Sequence, residues 1–477
     1  MQSEYLRKLA ARLEQYRFVL FYGAGGVAKD LLLLLEPYLD KTRISVAVTK
    51  KKESETLLSG YPVRQIDGFV TDREQTMVIL AAMPGVCAEM EEHIRGLGFH
   101  DYMTAEEISG QMYEEIWQTE ISRKKIVFSS WSGGGFGGNG KYIALNLLEQ
   151  SADADLVWVI KDKTEKLPDG IRGVQYGTYE HYRELGTARI WIDNVHKNFL
   201  TRKREGQCYI QTWHGGGPLK KIEFDGENMS RSYLELCERD SEMEDIMISP
   251  SAFNSGLYRK AFHYRGEILE CGYPRNDIFR KRHDCRRKIT DMYRLDPEEI
   301  LVLYAPTFRE FQRRERDRLD FAAVRKAVKR KSGKECRVLV RLHPSDRDAA
   351  ERCPWPGGCV NVTSHDDAQE LLAAADILIT DYSSVMWDFS LGRKPVFLFH
   401  PDIDLYEKER GYYLPFGQMP YVEAFDNADL CRKIEDFEKE GYRKGLDAFL
   451  LKYGSFDRGT AAEAVGARIM KILKEGY

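Results

Sequence analysis

The chain has no long apolar run, no charge excess and no paired cysteines, and each shortage removes a class of protein. No window of its 477 residues approaches the roughly 20 apolar residues that a helix needs to cross a bilayer, so membrane contact is expected to be peripheral. The opening stretch, MQSEYLRKLAARLEQYRFVLFYG, carries charges throughout and does not read as a signal peptide. Lys and Arg total 71 against 75 Asp and Glu, a net charge of −4. A dedicated nucleic-acid binder usually shows a basic excess, so no nucleic-acid partner is expected. Nine cysteines are scattered without a C-x-x-C pair, as suits reduced thiols in a cytosolic protein. Cys353 and Cys359 flank a Pro/Gly-rich loop without paired ligands, and no carboxylate cluster demands a metal. Neither a metal nor another cofactor is expected.

What the chain does have is strand–helix alternation, repeated three times. Hydrophobic residues make up 43%, ample for packed cores, and the length suits about three domains. An amphipathic helix over 3–16 precedes a strand at 18–22 and the turn GAGGVA. Gly23, Gly25 and Ala28 approximate the G-x-G-x-x-G/A turn of dinucleotide-binding folds. The next strand ends in Thr49, Lys50 and Lys51, where an acid that holds an NAD ribose is missing. These glycines are therefore expected to serve close strand–helix packing, with a nucleotide ligand as the alternative.

A second alternation starts near residue 123. The turn over 133–140 is dense in glycine, yet Lys141 is followed by Tyr142, so the P-loop pattern G-x-x-x-x-G-K-[ST] is not met. Flexible loop and acceptor-binding loop both remain open for it. A third alternation follows the break at CGYPRND. The expected architecture is α/β: residues 1–122 as a Rossmann-like accessory domain, 123–275 as a second domain, and 276–477, with closing helices over 427–440, 443–452 and 459–475, as a third. The basic segments at 280–288 and 309–334 read as solvated helix faces, with an anionic-lipid patch as the alternative.

The chemistry gathers at strand ends. In open parallel sheets, ligands bind beyond the carboxyl ends of the strands. His214, Ser249, Thr307, Arg309, His343, Asp381, Ser383 and Ser384 all fall just past expected strands. The stretch DILITDYSSVMWDFSLG, residues 376–392, reads as a buried strand turning into a serine-capped helix, a natural seat for phosphate. An ordinary cap with nothing bound is the plain alternative. Arg309 can fork onto phosphate oxygens. One histidine can take a proton from a hydroxyl near neutrality, and a second can stabilise a leaving phosphate. That set describes displacement at phosphorus of an activated diphosphate by an alcohol.

Six motifs, TWHGGGPLKK, SPSAFNSGLYRKAF, GYPRND, LYAPTFR, RLHP and ILITDYSSVMWDFSLGRKPVFLF, together resemble the CDP-glycerol:poly(glycerophosphate) glycerophosphotransferase family over roughly residues 123–470. The resemblance implies a GT-B architecture, with residues 123–275 on the acceptor side and 276–477 on the donor side of a cleft. It also implies transfer of glycerol phosphate or ribitol phosphate from a CDP-polyol to a membrane-anchored acceptor, with release of CMP, as in teichoic-acid synthesis. His214 and His343 match the two histidines regarded as catalytic in that family. The donor is expected near Arg309, Thr307, Asp381, Ser383 and Ser384, with Ser249 and Lys220 completing the substrate-binding set. The resemblance further implies a cytoplasmic protein, peripheral on the inner face of the membrane, and is compatible with a homo-oligomer. Where the family commonly reads W-H-G-T-P-L-K, this chain has Gly215, Gly216 and Gly217 before Pro218. A GT-B glycosyltransferase using a nucleotide sugar and a non-catalytic nucleotide-binding scaffold are the alternatives.

Overall fold

The computed structural model describes residues 3–51, 56–217, 220–307, 318–343, 346–403 and 411–475. Its frame is three sheets, each built from one of the three alternating stretches. The first runs, edge to edge, Leu57–Leu58, Tyr61–Gln65, Ile44–Val48, Phe18–Tyr22, Thr76–Leu80 and Tyr102–Thr104. Only its outermost pair is antiparallel. The run FVLFY forms a central strand because helices cover both faces: Val19, Leu20, Phe21 and Tyr22 are all buried. Helix Glu4–Leu13 is capped by Ser3 and buries Leu6, Leu9, Ala10 and Leu13 on one face. At Gly23, with φ +122°, a Cβ would stand 2.6 Å from the Ala81 carbonyl oxygen. That glycine is thus required by the close approach of neighbouring strand ends.

The middle sheet has seven parallel strands in the order Glu267–Glu270, Ile246–Ser249, Cys208–Gln211, Ala188–Asp193, Ser122–Phe128, Asp155–Ile160 and Ile171–Gln175. The last sheet has six: Cys359–Asn361, Cys336–Val340, Ile300–Tyr304, Ile377–Thr380, Val396–Phe399 and Val422–Ala424. In each, the chain runs outward from a central strand, returns beside it and runs out the other way. The reversal leaves a crevice at the carboxyl ends, between Phe128 and Asp193 in one sheet and between Tyr304 and Thr380 in the other.

Two features differ from expectation. The closing helix Ala461–Glu475 packs on the middle sheet, not the last: Val465, Ile469 and Ile472 share a core with Ile143, Ala144 and Leu147. The preceding helices break at residues 436–438, giving Asn427–Glu435 and Lys439–Lys452. The basic segment 280–288 is largely occupied within the protein. Arg286 bonds Asp376 and the Ala374 carbonyl, Lys288 bonds Glu370, and Arg280 bonds the Gly459 carbonyl.

Candidate active site

His214 follows strand Cys208–Gln211, and its ring reaches solvent at the mouth of the middle crevice. Its Nδ1 lies 2.9 Å from the Asn194 carbonyl oxygen. A carbonyl only accepts, so Nδ1 carries the proton, and in the neutral ring Nε2 is left with the lone pair. Although the residue is open to solvent on one side, the surrounding loops strip water from the imidazole and lower its pKa, and the nearby Arg275 charge lowers it further. The ring is therefore neutral near neutral pH. Asn194, which sequence reasoning passed over, ties both sides of the crevice together. Its side-chain Oδ1 accepts from Trp131 N at 2.8 Å, at the start of the glycine-dense turn.

The loop after His214 rests directly on the serine turn of the last sheet. A Cβ on Gly216 would lie 2.9 Å from Asp388 Oδ1 and 3.1 Å from the Ser384 carbonyl oxygen. One on Gly217 would sit 1.9 Å from the Trp387 ring. Only glycine lets the two backbones close to this distance. Arg275, from the GYPRND motif, fastens the contact. Its guanidinium donates to the His214 carbonyl (2.8 Å) and pairs with Asp388 (3.0 Å), both side chains being buried. Asp388 also accepts from Gln369 (2.9 Å) and Asn276 (3.3 Å). Lys220 joins the same seam through an antiparallel bridge to Tyr412, and Lys221 N donates to the Gly411 carbonyl at 2.9 Å.

On the facing side, Ser383 and Ser384 are half-buried and precede the short helix Val385–Ser390. Ser384 holds the cap position, yet its side chain makes no capping bond; only a long contact of 3.5 Å runs from Val385 N to Ser383 Oγ. The expected serine cap is thus absent, and the hydroxyls are not taken up by the helix end. Asp381 is buried and accepts from Thr307 N (2.8 Å) and Tyr382 N (2.6 Å). It closes the crevice by tying two strand ends together, with Thr307 half-buried beside it. His343 is exposed beyond strand Cys336–Val340, and its carbonyl accepts from Asp346 N at 2.8 Å. Arg309 lies outside the described residues.

Ser249 is a correction. It is fully buried; its hydroxyl donates to the Ser251 carbonyl (2.8 Å) and receives Ser255 Oγ (2.9 Å). The strand end turns this side chain inward, away from the expected strand-end position, so it braces helix Ala252–Ala261, which Ser251 caps.

Two Rossmann-like sheets whose reversal points face one seam, one presenting His214 and the other the serine turn, make a GT-B-like fold. The family model for CDP-Glycerol:Poly(glycerophosphate) glycerophosphotransferase matches residues 111–471, and the chain belongs to that family. It is 29% identical over 376 residues to a teichoic acid poly(glycerol phosphate) polymerase of Staphylococcus epidermidis, covering 75% of this chain. It spans about half the length of that relative, 52%. A Bacillus spizizenii protein of the same description is 30% identical over 364 residues, covering 72% of this chain and 91% of that one. Among solved structures, the wall teichoic acid polymerase TagF, in a form soaked with CDPG, aligns with a TM-score of 0.69 at 26% identity. The alignment covers 83% of this chain and 99% of that chain.

Proposed function

We propose that this chain moves a polyol phosphate, glycerol phosphate or ribitol phosphate, from a CDP-polyol to a hydroxyl of a membrane-linked acceptor, releasing CMP during cell-surface polymer synthesis. The observation that carries the reading is the His214 ring, fixed by Asn194 in the tautomer of a base, on a loop seated against the Ser384 helix. Family membership and the names of the relatives support it.

In this reading Nε2 of His214 takes the proton of the acceptor hydroxyl. The freed oxygen attacks the phosphorus that carries the polyol. The bond from that phosphorus to the bridging oxygen breaks, and CMP departs with the electron pair. Ser383, Ser384, Thr307 and Arg309 hold the diphosphate, Asp381 keeps the Thr307 turn in place, and Lys220 borders the seam. His343 stabilises the negative charge developing on the leaving group. The setting is the cytoplasmic face of the membrane, where lipid-linked acceptors are presented. Among the described residues no helix is long and apolar enough to cross a bilayer.

The test is to incubate the protein with CDP-glycerol or CDP-ribitol and bacterial membranes and to follow CMP. Release well above that of His214→Ala and His343→Ala is expected. No excess over those variants with either donor rejects the reading. In thermal-shift assays CDP and CMP should stabilise the fold more than UDP or GDP, which separates this chemistry from sugar transfer.

A further inference from the structure

Behind the Trp213–His214 corner lies a cluster that the proposed reaction does not use. His196 leaves the loop after strand Ala188–Asp193, Glu223 opens the turn Glu223–Asp225, and Cys237 and Asp240 share one face of helix Arg231–Met243. His196 Nε2 is 3.1 Å from Glu223 Oε2, and Cys237 Sγ is 2.6 Å from the same oxygen. These three donor atoms lie within 4.8 Å of one another. The imidazole's other nitrogen, Nδ1, meets Asp240 Oδ2 at 2.8 Å. Asp240 is itself held by Lys197 N (3.1 Å) and Tyr209 Oη (3.3 Å), and Glu223 Oε1 accepts from Tyr233 Oη at 2.9 Å.

We propose that His196, Glu223 and Cys237 bind a divalent cation of the zinc class, with Asp240 orienting the imidazole. Four observations carry this. First, Glu223, Asp240 and Glu244 bring three carboxyl groups, each nearly fully buried, around one imidazole. Lys197 does not balance them, because its ammonium is bonded to Asp193 at 2.8 Å. Without metal, a His196 ring that donates from both nitrogens supplies one positive charge, which still leaves the three carboxyl groups in excess, and buried negative charge in excess needs a further cation or a proton. Second, Glu244 Oε2 is buried without a hydrogen-bond partner, in the same cluster as His196 and Asp240. Third, the donor set of imidazole nitrogen, carboxylate and thiol is the one zinc favours, and the Asp240–His196 bond is the usual outer support of a metal-bound histidine. Fourth, Glu223 holds φ +49°, a left-handed conformation that costs a non-glycine residue energy and here aims its carboxylate at the other two donors.

On binding, the Cys237 thiol and the Nε2 position give up their protons to solvent. Sulfur and carboxylate oxygen then open from 2.6 Å to about 3.5 Å, the separation set by tetrahedral zinc bonds, which a small side-chain rotation supplies. The ion would sit under the corner that carries the base. The His196 ring is 5.5 Å from the Trp213 ring, which lies 4.4 Å from the His214 ring.

The protein is purified without chelator and its metal measured by elemental analysis, with about one zinc per chain expected. Chelated protein is then titrated with Co²⁺ alone. A near-ultraviolet thiolate-to-cobalt band should appear, vanish in Cys237→Ser, and persist in Asp240→Asn with affinity lowered about 10–100-fold. Cys431→Ser serves as the control that keeps the band. Absence of both bound metal and cobalt band in the unmutated protein overturns the proposal, as does a band unchanged in Cys237→Ser. Should Cys237→Ser fail to fold, Glu223→Gln is read for loss of metal in the same way, and the unmutated protein decides alone.

Discussion

Removing the charge of Asp388 tests how the lobes are joined. Its carboxylate and the Arg275 guanidinium are each about 6% exposed and 3.0 Å apart, one on each side of the seam. In Asp388→Asn the guanidinium stays buried without its counter-charge. Breaking such a pair from one side costs about 3–5 kcal/mol, most of it from the stranded ion. Urea unfolding should show that loss, and Arg275→Met should show a similar one. The double variant Arg275→Met/Asp388→Leu replaces both charges by apolar groups, and its loss should fall short of the sum of the two single losses by a coupling energy of about 2–3 kcal/mol. Arg275 also holds the His214 carbonyl, so CMP release should fall in the single variants. Additive single losses, or a loss under about 1 kcal/mol for Asp388→Asn, would refute the reasoning.

Other perturbations test the seam and the titrating groups. Gly217→Ala places a methyl inside the Trp387 ring position and should cost about 1–3 kcal/mol in thermal or urea unfolding, with partial rescue by Trp387→Leu. Because burial lowers the His214 pKa below its ordinary value near 6.5, the rate of CMP release should hold through that pH and decline only at lower pH, where the base is protonated. An acid limb centred above pH 6.5 would contradict its role. His181 is buried and held neutral down to about 3, while its unfolded form takes a proton near 6.5. Its contribution to stability is present above pH 6.5 and is lost as pH falls towards 3, by up to about 1.4 kcal/mol per pH unit. The stability of His181→Asn measured against pH should lack that slope.

The sheets were legible because their central strands are apolar runs covered on both faces, as in 18–22, 301–304 and 377–379. The segment 280–288 reads as a solvated helix face, and helix Arg282–Tyr293 has that character, with Cys285, Ile289 and Thr290 its buried positions. The position of His214 at a strand end was legible, but the bond that orients it was not, because Asn194 lies 20 residues upstream, just past the end of another strand. Arg275 was read as part of a break. Its meaning depends on Asp388, 113 residues later, and no local pattern announces that pairing. Ser249 shows the limit of strand-end reasoning. Alternation places a residue at the edge of a sheet, while packing decides whether its side chain faces inward.

The return of helix Ala461–Glu475 to the middle sheet has a consequence for how the molecule is made. That sheet's core, with Ile143, Ala144 and Leu147, includes Val465, Ile469 and Ile472 of this helix. A ribosome delivers those residues after all six strands of the last sheet. Until then the nascent middle unit exposes an apolar trough, and a chain stopped before residue 461 would leave it open. Helix Ala461–Glu475 thus completes the core of the middle sheet only after the last sheet has been made.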